Sequence, residues 1–177
     1  SPPLRPADHQ DELWTGLIKD DLQVVSTDHC PFDFEGQKEL GRGDFRKVPN
    51  GLPGVEDRVD LLHDGGVLGG RLTKERWVEV ISTAPAKLFG MYPRKGAIAV
   101  GSDADLVIYD PAAKHTISAK THHMDVDYSC YEGREVVGQS RTVLSRGTVV
   151  VRDREWVGPA GHGRFIRRSP ADYARLA

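Results

Sequence analysis

Several things are scarce in this chain, and each scarcity removes a class of protein. The two cysteines, Cys30 and Cys130, form no C-x-x-C or Cys/His zinc spacing. One pair is too few for a disulfide framework, so both read as free thiols. No run approaches the roughly 18 apolar residues of a membrane span, and the N-terminus carries no basic-then-apolar leader. Lys and Arg number 24 against 26 Asp and Glu. That balance gives no electrostatic reason to expect nucleic acid or an anionic membrane as partner. Composition therefore reads as a soluble, cytoplasmic protein. Its 177 residues suffice for one ordinary domain or two small ones. Asparagine occurs once, as Asn50. An initiator methionine is missing too. The chain opens Ser1-Pro2-Pro3-Leu4-Arg5, which raises the expectation that it is the later part of a longer protein.

What is present is organised around Ser26-Thr27-Asp28-His29-Cys30-Pro31-Phe32, which follows the apolar run Leu22-Gln23-Val24-Val25. A β-branched run closed by small polar residues and a proline predicts a buried strand ending in a loop. Asp28 would then stand at the strand's C-terminal lip, where parallel α/β sheets and barrels gather their ligands. A carboxylate there can ligate a cation, act as a general base, or do both. Local sequence alone also allows a helix or turn cap.

Upstream, Leu13, Trp14, Leu17 and Ile18 mark one face of a helix within Ala7 to Asp20, with Asp8 as N-cap. Downstream, residues 29 to 54 have little periodicity, five glycines and three prolines. A loop of that length beside a candidate site favours function. Within it, Asn50-Gly51 is a turn signal. Val55 to His63 reads as a helix stopped by Asp64-Gly65-Gly66. A second starts at the N-cap Thr73 and buries Trp77, Val80 and Ile81. Ser82 to Gly90 suggests a third, short helix with Pro85 in its first turn and Gly90 as its stop.

After about residue 92 the pattern changes. Ala97–Val100, Leu106–Tyr109, Glu135–Val137, Arg141–Leu144 and Thr148–Val151 read as short strands, with Ser145-Arg146-Gly147 as a three-residue hairpin loop. An α/β module over 1–92 thus precedes an all-β module over 93–157. The stretch 158–177 reads as a glycine-rich basic arm, solvated or touching another subunit, that ends in a short helix from Ser169. His122 and His123 are adjacent, so on a strand they point to opposite faces and share no chelate. With His9, His63, His115 and His162 they read as structural or surface residues.

Four stretches carry a family likeness: Ser1 to Arg5, Ser26 to Phe32, Pro49-Asn50-Gly51-Leu52-Pro53-Gly54-Val55-Glu56, and Gly101-Ser102-Asp103-Ala104-Asp105-Leu106-Val107-Ile108-Tyr109-Asp110. In order and separation they resemble the C-terminal part of the dihydropyrimidinase and D-hydantoinase family, cyclic-amide hydrolases of the amidohydrolase superfamily. The resemblance implies the last units of a metal-dependent (β/α)8 TIM-like barrel, followed by part of a small β-sandwich domain. It implies two zinc ions per site, bridged by a hydroxide and a carboxylated lysine. Asp28 matches the aspartate that binds one metal and shuttles the proton. Ser1 and Asn50 match positions whose main-chain groups bind the amide edge of a substrate ring. Assembly as a dimer or tetramer, through the β-domain and the C-terminal arm, is implied as well.

The family's other metal ligands have no counterpart in these residues, and no H-x-H pair occurs. One carboxylate does not retain two zinc ions. The segment alone is therefore expected to be inactive and to depend on the missing part of the barrel. Two alternatives stand beside the hydrolase. One is a non-catalytic, dihydropyrimidinase-like scaffold of the collapsin-response-mediator kind. The other is a different cyclic amidohydrolase, allantoinase or dihydroorotase. Arg46 and Lys47 are the basic candidates a dihydroorotase would need for its substrate carboxylate, whereas the match from Pro49 to Glu56 points away from that enzyme.

Overall fold

A computed structural model describes residues 5–170. Helices come first and an antiparallel sheet follows. Helix α1 spans His9–Ile18 and buries Leu17. Asp8 holds the N-cap position, but its side chain caps nothing. Helix α2 (Arg58–Leu62) runs on into a wide π turn, His63–Leu68. The expected stop at Asp64-Gly65-Gly66 is therefore not a stop. These glycines are small for a packing reason, since a Cβ on Gly66 would lie 3.0 Å from Leu72 and 3.2 Å from the Trp14 ring.

Thr73 caps α3 (Lys74–Val78) by accepting the Arg76 N–H at 3.1 Å. The chain then continues helically through a π segment, Glu79–Thr83, into α4 (Ala84–Leu88). The two helices expected here are thus one irregular rod. Pro85 explains the irregularity, because it has no N–H to return to the preceding turn. In the wide turn that missing donor leaves the Val80 carbonyl free, and the Val25 N–H takes it at 3.0 Å. Val80 is fully buried and forms a core with Leu17 and Leu72, onto which Trp14, Val25 and Ile81 pack. Each such side chain contributes about 1.5–3 kcal/mol by leaving water.

The apolar run Leu22 to Val25 is extended but is not a strand among the described residues. A strand is made by its pairing neighbours, and among the described residues no strand lies beside this run. Arginines hold it instead. Arg76 donates to the Leu22 carbonyl at 2.9 Å and Arg58 to the Val25 carbonyl at 3.1 Å.

The sheet is a four-stranded antiparallel meander of β1 (Leu106–Thr116), β2 (Glu135–Ser145), β3 (Thr148–Arg152) and β4 (Glu155–Trp156). Two of the expected strands fuse into β2. Ala97–Val100 forms none, and Ile98 and Val100 stand in solvent. The β2–β3 loop has two residues rather than three, because Ser145 pairs with Thr148. Arg146 and Gly147 have φ of 47° and 79°, as a type I′ turn needs. Asp153 and Arg154 repeat this between β3 and β4. The arm folds back on its own chain, since His162 Nε2 lies 3.0 Å from the Ser145 carbonyl and the Ser169 N–H donates to Gly90 O at 2.9 Å. Ser169 and Pro170 are not helical, and the rest of the short helix expected there lies outside the described residues.

Helices and sheet share a second core. His63, Trp77 and Tyr109 stack with ring centroids 4.9–5.2 Å apart. His63 Nδ1 lies 2.8 Å from the Val137 carbonyl, and Asp64 accepts the Val137 N–H at 3.1 Å. Gly138 is required here: with φ of 116°, a Cβ would sit 2.3 Å from the Tyr109 hydroxyl.

Candidate functional site

Asp28 follows the extended run in a left-handed turn with φ of 47°, and its carboxylate is exposed. A non-glycine residue rarely adopts that conformation, and aspartate is among the few that tolerate it. Thr27 steadies the turn, its hydroxyl accepting the His29 N–H at 3.2 Å.

The next residues meet the loop that carries Asn50. His29 and Leu52 form a parallel bridge, and Cys30 donates its N–H to Leu52 O at 3.3 Å. The Gly54 N–H approaches His29 Nδ1 at 3.2 Å, which makes that nitrogen the acceptor. Gly51 lies so close to Cys30 that a Cβ would be 2.3 Å from the Cys30 carbonyl, and its φ of 133° already favours glycine. The structure thus brings Asp28 and Asn50 to adjoining backbone segments, each within two residues of the His29–Leu52 bridge. Ser1 lies outside the described residues. Among those described, Asp28 and Asn50 are the predicted pair that can be placed.

The long loop between them is not structureless. It holds two short 3₁₀ turns, Lys38–Gly41 and Phe45–Lys47, the second capped by Asp44. Asp44 also engages Arg46 at 2.9 Å and Lys47 at 3.9 Å. The two basic side chains weighed as carboxylate binders are thus paired with their neighbour. Asp127, from the segment ahead of β2, accepts the N–H groups of Phe34 and Glu35 at 2.6 and 2.9 Å. Those two donors hold its carboxyl below the usual carboxylate range. Phe34 adds an edge-to-face contact with Tyr128 at 5.8 Å. Sequence reasoning missed Asp127, and nothing in its local pattern marks it.

Lys38 was missed as well. Its Nζ donates at 2.5 Å to the carbonyls of both Pro49 and Gly51, on either side of Asn50, and lies 5.2 Å from the Phe32 ring centroid. No sequence signal could reveal a side chain whose partners are backbone carbonyls.

A second polar group sits apart, where α2 meets the sheet. A cavity of about 470 Å³ is lined by Glu56, Asp60, His123, Gln139, Arg154 and Trp156, among others. Burial pushes the Asp60 carboxyl up to about 6. Burial likewise raises the Tyr109 hydroxyl, helped by that carboxylate, and it lowers His115, whose Nε2 is 3.5 Å from Asp60. His123 pairs with Glu56 at 3.0 Å. Both cysteines are free and exposed, and burial raises the Cys130 thiol.

Among the described residues, no group of three or more His, Cys, Asp or Glu side chains is placed to hold a metal ion. Asp28 offers one oxygen donor where a two-metal centre needs several. No helix among them is long and apolar enough to cross a membrane.

Residues 7–150 match the amidohydrolase family. The chain is 59% identical over 173 residues to a D-hydantoinase of Streptomyces coelicolor, covering 98% of this chain and 37% of that one. Against a D-hydantoinase of Geobacillus stearothermophilus it is 54% identical over 169 residues, covering 96% and 36%. Among solved structures, D-hydantoinase from Bacillus sp. AR9 superposes with a TM-score of 0.95 at 56% identity, covering 97% of this chain and 37% of that one. Dihydropyrimidinase from Brevibacillus agri does so with 0.94 at 55%, covering 96% and 37%. The chain therefore spans a little over a third of the length of these relatives. By the family match it belongs to the amidohydrolase family, and it aligns with about a third of these D-hydantoinases and this dihydropyrimidinase.

Proposed function

We propose that this chain is the part of a cyclic-amide hydrolase that supplies the proton-carrying carboxylate, Asp28, and a backbone cradle for the substrate at Asn50. The full-length protein opens dihydropyrimidines and 5-substituted hydantoins to N-carbamoyl amino acids. The observation that carries this reading is the juxtaposition of the exposed Asp28 turn with the Asn50–Leu52 segment across the His29–Leu52 bridge, in a chain 59% identical to a D-hydantoinase.

Ring opening adds water across an amide C–N bond. A C–O bond forms, the C–N bond breaks, and one proton of the water ends on the departing nitrogen. Asp28 accepts that proton as the oxygen attacks and returns it to the ring nitrogen, a general base that becomes a general acid. Its exposure on a left-handed turn leaves the carboxylate free to face both partners. The ring amide presents one donor and one acceptor along its edge, which backbone N–H and C=O groups at Asn50 and Ser1 complement without charge.

Two zinc ions, held by Asp28 and by ligands elsewhere in the polypeptide, would supply Lewis acidity toward the water and the carbonyl. On this reading the extended run before Asp28 is a barrel strand whose neighbours lie in the rest of the protein, and the meander is one layer of a β-sandwich. The segment alone is inactive. The same reading makes the protein cytoplasmic and a homo-oligomer, a dimer or tetramer in contact through its β-domain and arm.

The test is hydrolysis of dihydrouracil and hydantoin by the full-length protein, with and without Asp28→Ala. Loss of about 10²–10⁴-fold in turnover is expected for a positioned acid–base group. Unchanged turnover would remove Asp28 from the mechanism. Absence of bound zinc in the full-length protein would favour the scaffold reading instead.

A further inference from the structure

We infer that Lys38 is a positioning residue that presents the main-chain N–H and C=O of Asn50 to the substrate ring; the inference rests on the function proposed above. Three observations carry it. Lys38 Nζ is 2.5 Å from the carbonyl of Pro49 and 2.5 Å from that of Gly51, the two residues flanking Asn50. Its ammonium also lies 5.2 Å from the ring centroid of Phe32, in the stretch that carries Asp28. Gly51, with φ of 133° and the Cys30 carbonyl where a Cβ would go, pins the far side of the same turn.

Peptide geometry supplies the consequence. The Pro49–Asn50 bond is trans, the one cis bond among the described residues being Tyr92–Pro93. In a trans peptide the N–H points opposite to the C=O, so the Asn50 N–H faces away from Lys38. The Pro49 and Gly51 carbonyls converge on that one cation, which fixes the peptide planes on either side of the Asn50–Gly51 peptide. The Asn50 N–H is thereby turned to the side opposite Lys38, and the Asn50 carbonyl belongs to the peptide between the two that Lys38 holds; together they offer a donor and an acceptor to a ring –NH–C(=O)– edge. The cation also strengthens the donor. A charge-assisted bond to the Pro49 oxygen polarises that peptide and makes its N–H a better hydrogen-bond donor. A neutral side chain of equal length would fill the same space without doing either.

A residue that orients a ground-state binding group changes KM more than kcat. In the full-length protein, Lys38→Met keeps the alkyl stem and removes the ammonium. KM for hydantoin and dihydrouracil should rise at least tenfold while kcat stays within about threefold, and Lys38→Arg should recover most of the loss. A KM within twofold of wild type in folded, metal-loaded Lys38→Met overturns the inference. So does a KM that Lys38→Arg fails to improve. If Lys38→Met does not fold, Lys38→Gln and Lys38→Arg decide between them. KM should rank Lys below Arg below Gln, and no rank order counts against the role. Asp28→Asn is made in parallel. Full activity in that variant would sink the site itself, whereas an inactive Asp28→Asn beside an unchanged Lys38→Met would sink only the role of Lys38.

Discussion

The loop that presents Asp28 and the junction that buries His63 are built in opposite ways. Around Asp28 the side chains are exposed or half-buried, and order comes from backbone bonds and from long side chains reaching in: Lys38 to Pro49 and Gly51, Asp127 to Phe34 and Glu35. At the junction, order comes from burial. His63 is 2% exposed and Val136 1%, and three rings stack within 5.2 Å. The first region spends little apolar area and keeps its polar groups available. The second buries polar groups at a cost in desolvation, which packing must outweigh. On the function proposed above, activity and stability should therefore be separable, and mutations should sort accordingly.

The largest effects should divide cleanly between the two regions. Trp77→Ala removes a ring that is 9% exposed, together with its bond to Val59 O at 3.3 Å. Chemical denaturation of the full-length protein should register about 3–5 kcal/mol of lost stability, with kcat/KM of the folded fraction nearly unchanged. Asp28→Asn should do the reverse, cutting kcat about 10³-fold, or about 4 kcal/mol in barrier height, with stability altered by less than about 0.5 kcal/mol as for an exposed site. If Asp28→Asn unfolds the protein, or Trp77→Ala abolishes turnover in folded material, the two regions are not separable.

Gly51→Ala tests where they meet. The added methyl would approach the Cys30 carbonyl at 2.3 Å on a backbone of φ 133°. Strain of about 1–3 kcal/mol is expected, and the displaced Asn50 turn should raise KM about tenfold. A crystal structure of the variant with an undisturbed turn and an unchanged KM would place the cradle elsewhere.

How much of this was legible in the residues follows from what each region uses. Periodic burial is written in sequence, so α1, the Thr73 cap and the burial of Trp77 and Val80 were readable. Asp28 was singled out because it closes an apolar run, and Asn50 by the family resemblance, its local pattern marking only a turn. Relations between distant backbone groups are not written. The Val80 carbonyl became the anchor for Val25 because Pro85 lacks an N–H, and Gly65-Gly66 reads as a stop unless Trp14 is known to lie against it. Ala97–Val100 has the composition of a strand but pairs with no strand among the described residues. Apolar composition cannot distinguish a core strand from a stretch that stands in solvent.

The smallest effect, Asp60→Asn, separates a stability carboxylate from a catalytic one by pH. Burial pushes the Asp60 carboxyl from 3.8 up to about 6, so the fold favours its protonated form. The stability this confers is complete below the unfolded value near 4 and is lost as pH rises through about 6. Asparagine is neutral throughout. The variant should therefore match wild type below pH 4, exceed it increasingly between about pH 4 and 6, and keep a constant lead above that, of at most about 3 kcal/mol for a two-unit shift. His115, at 3.5 Å, works in the opposite sense. Its value is lowered by burial and by Arg154, so its contribution is full above about 6.5 and falls as it protonates. Asp60→Asn in a His115→Gln background isolates the carboxylate. Thermal unfolding of the full-length protein across that range should show the widening gap, while kcat keeps the wild-type pH profile because Asp60 stands apart from the Asp28 turn. A gap that is flat in pH would mean that Asp60 is solvated in the complete protein. A shifted kcat profile would join the two regions that the structure holds apart.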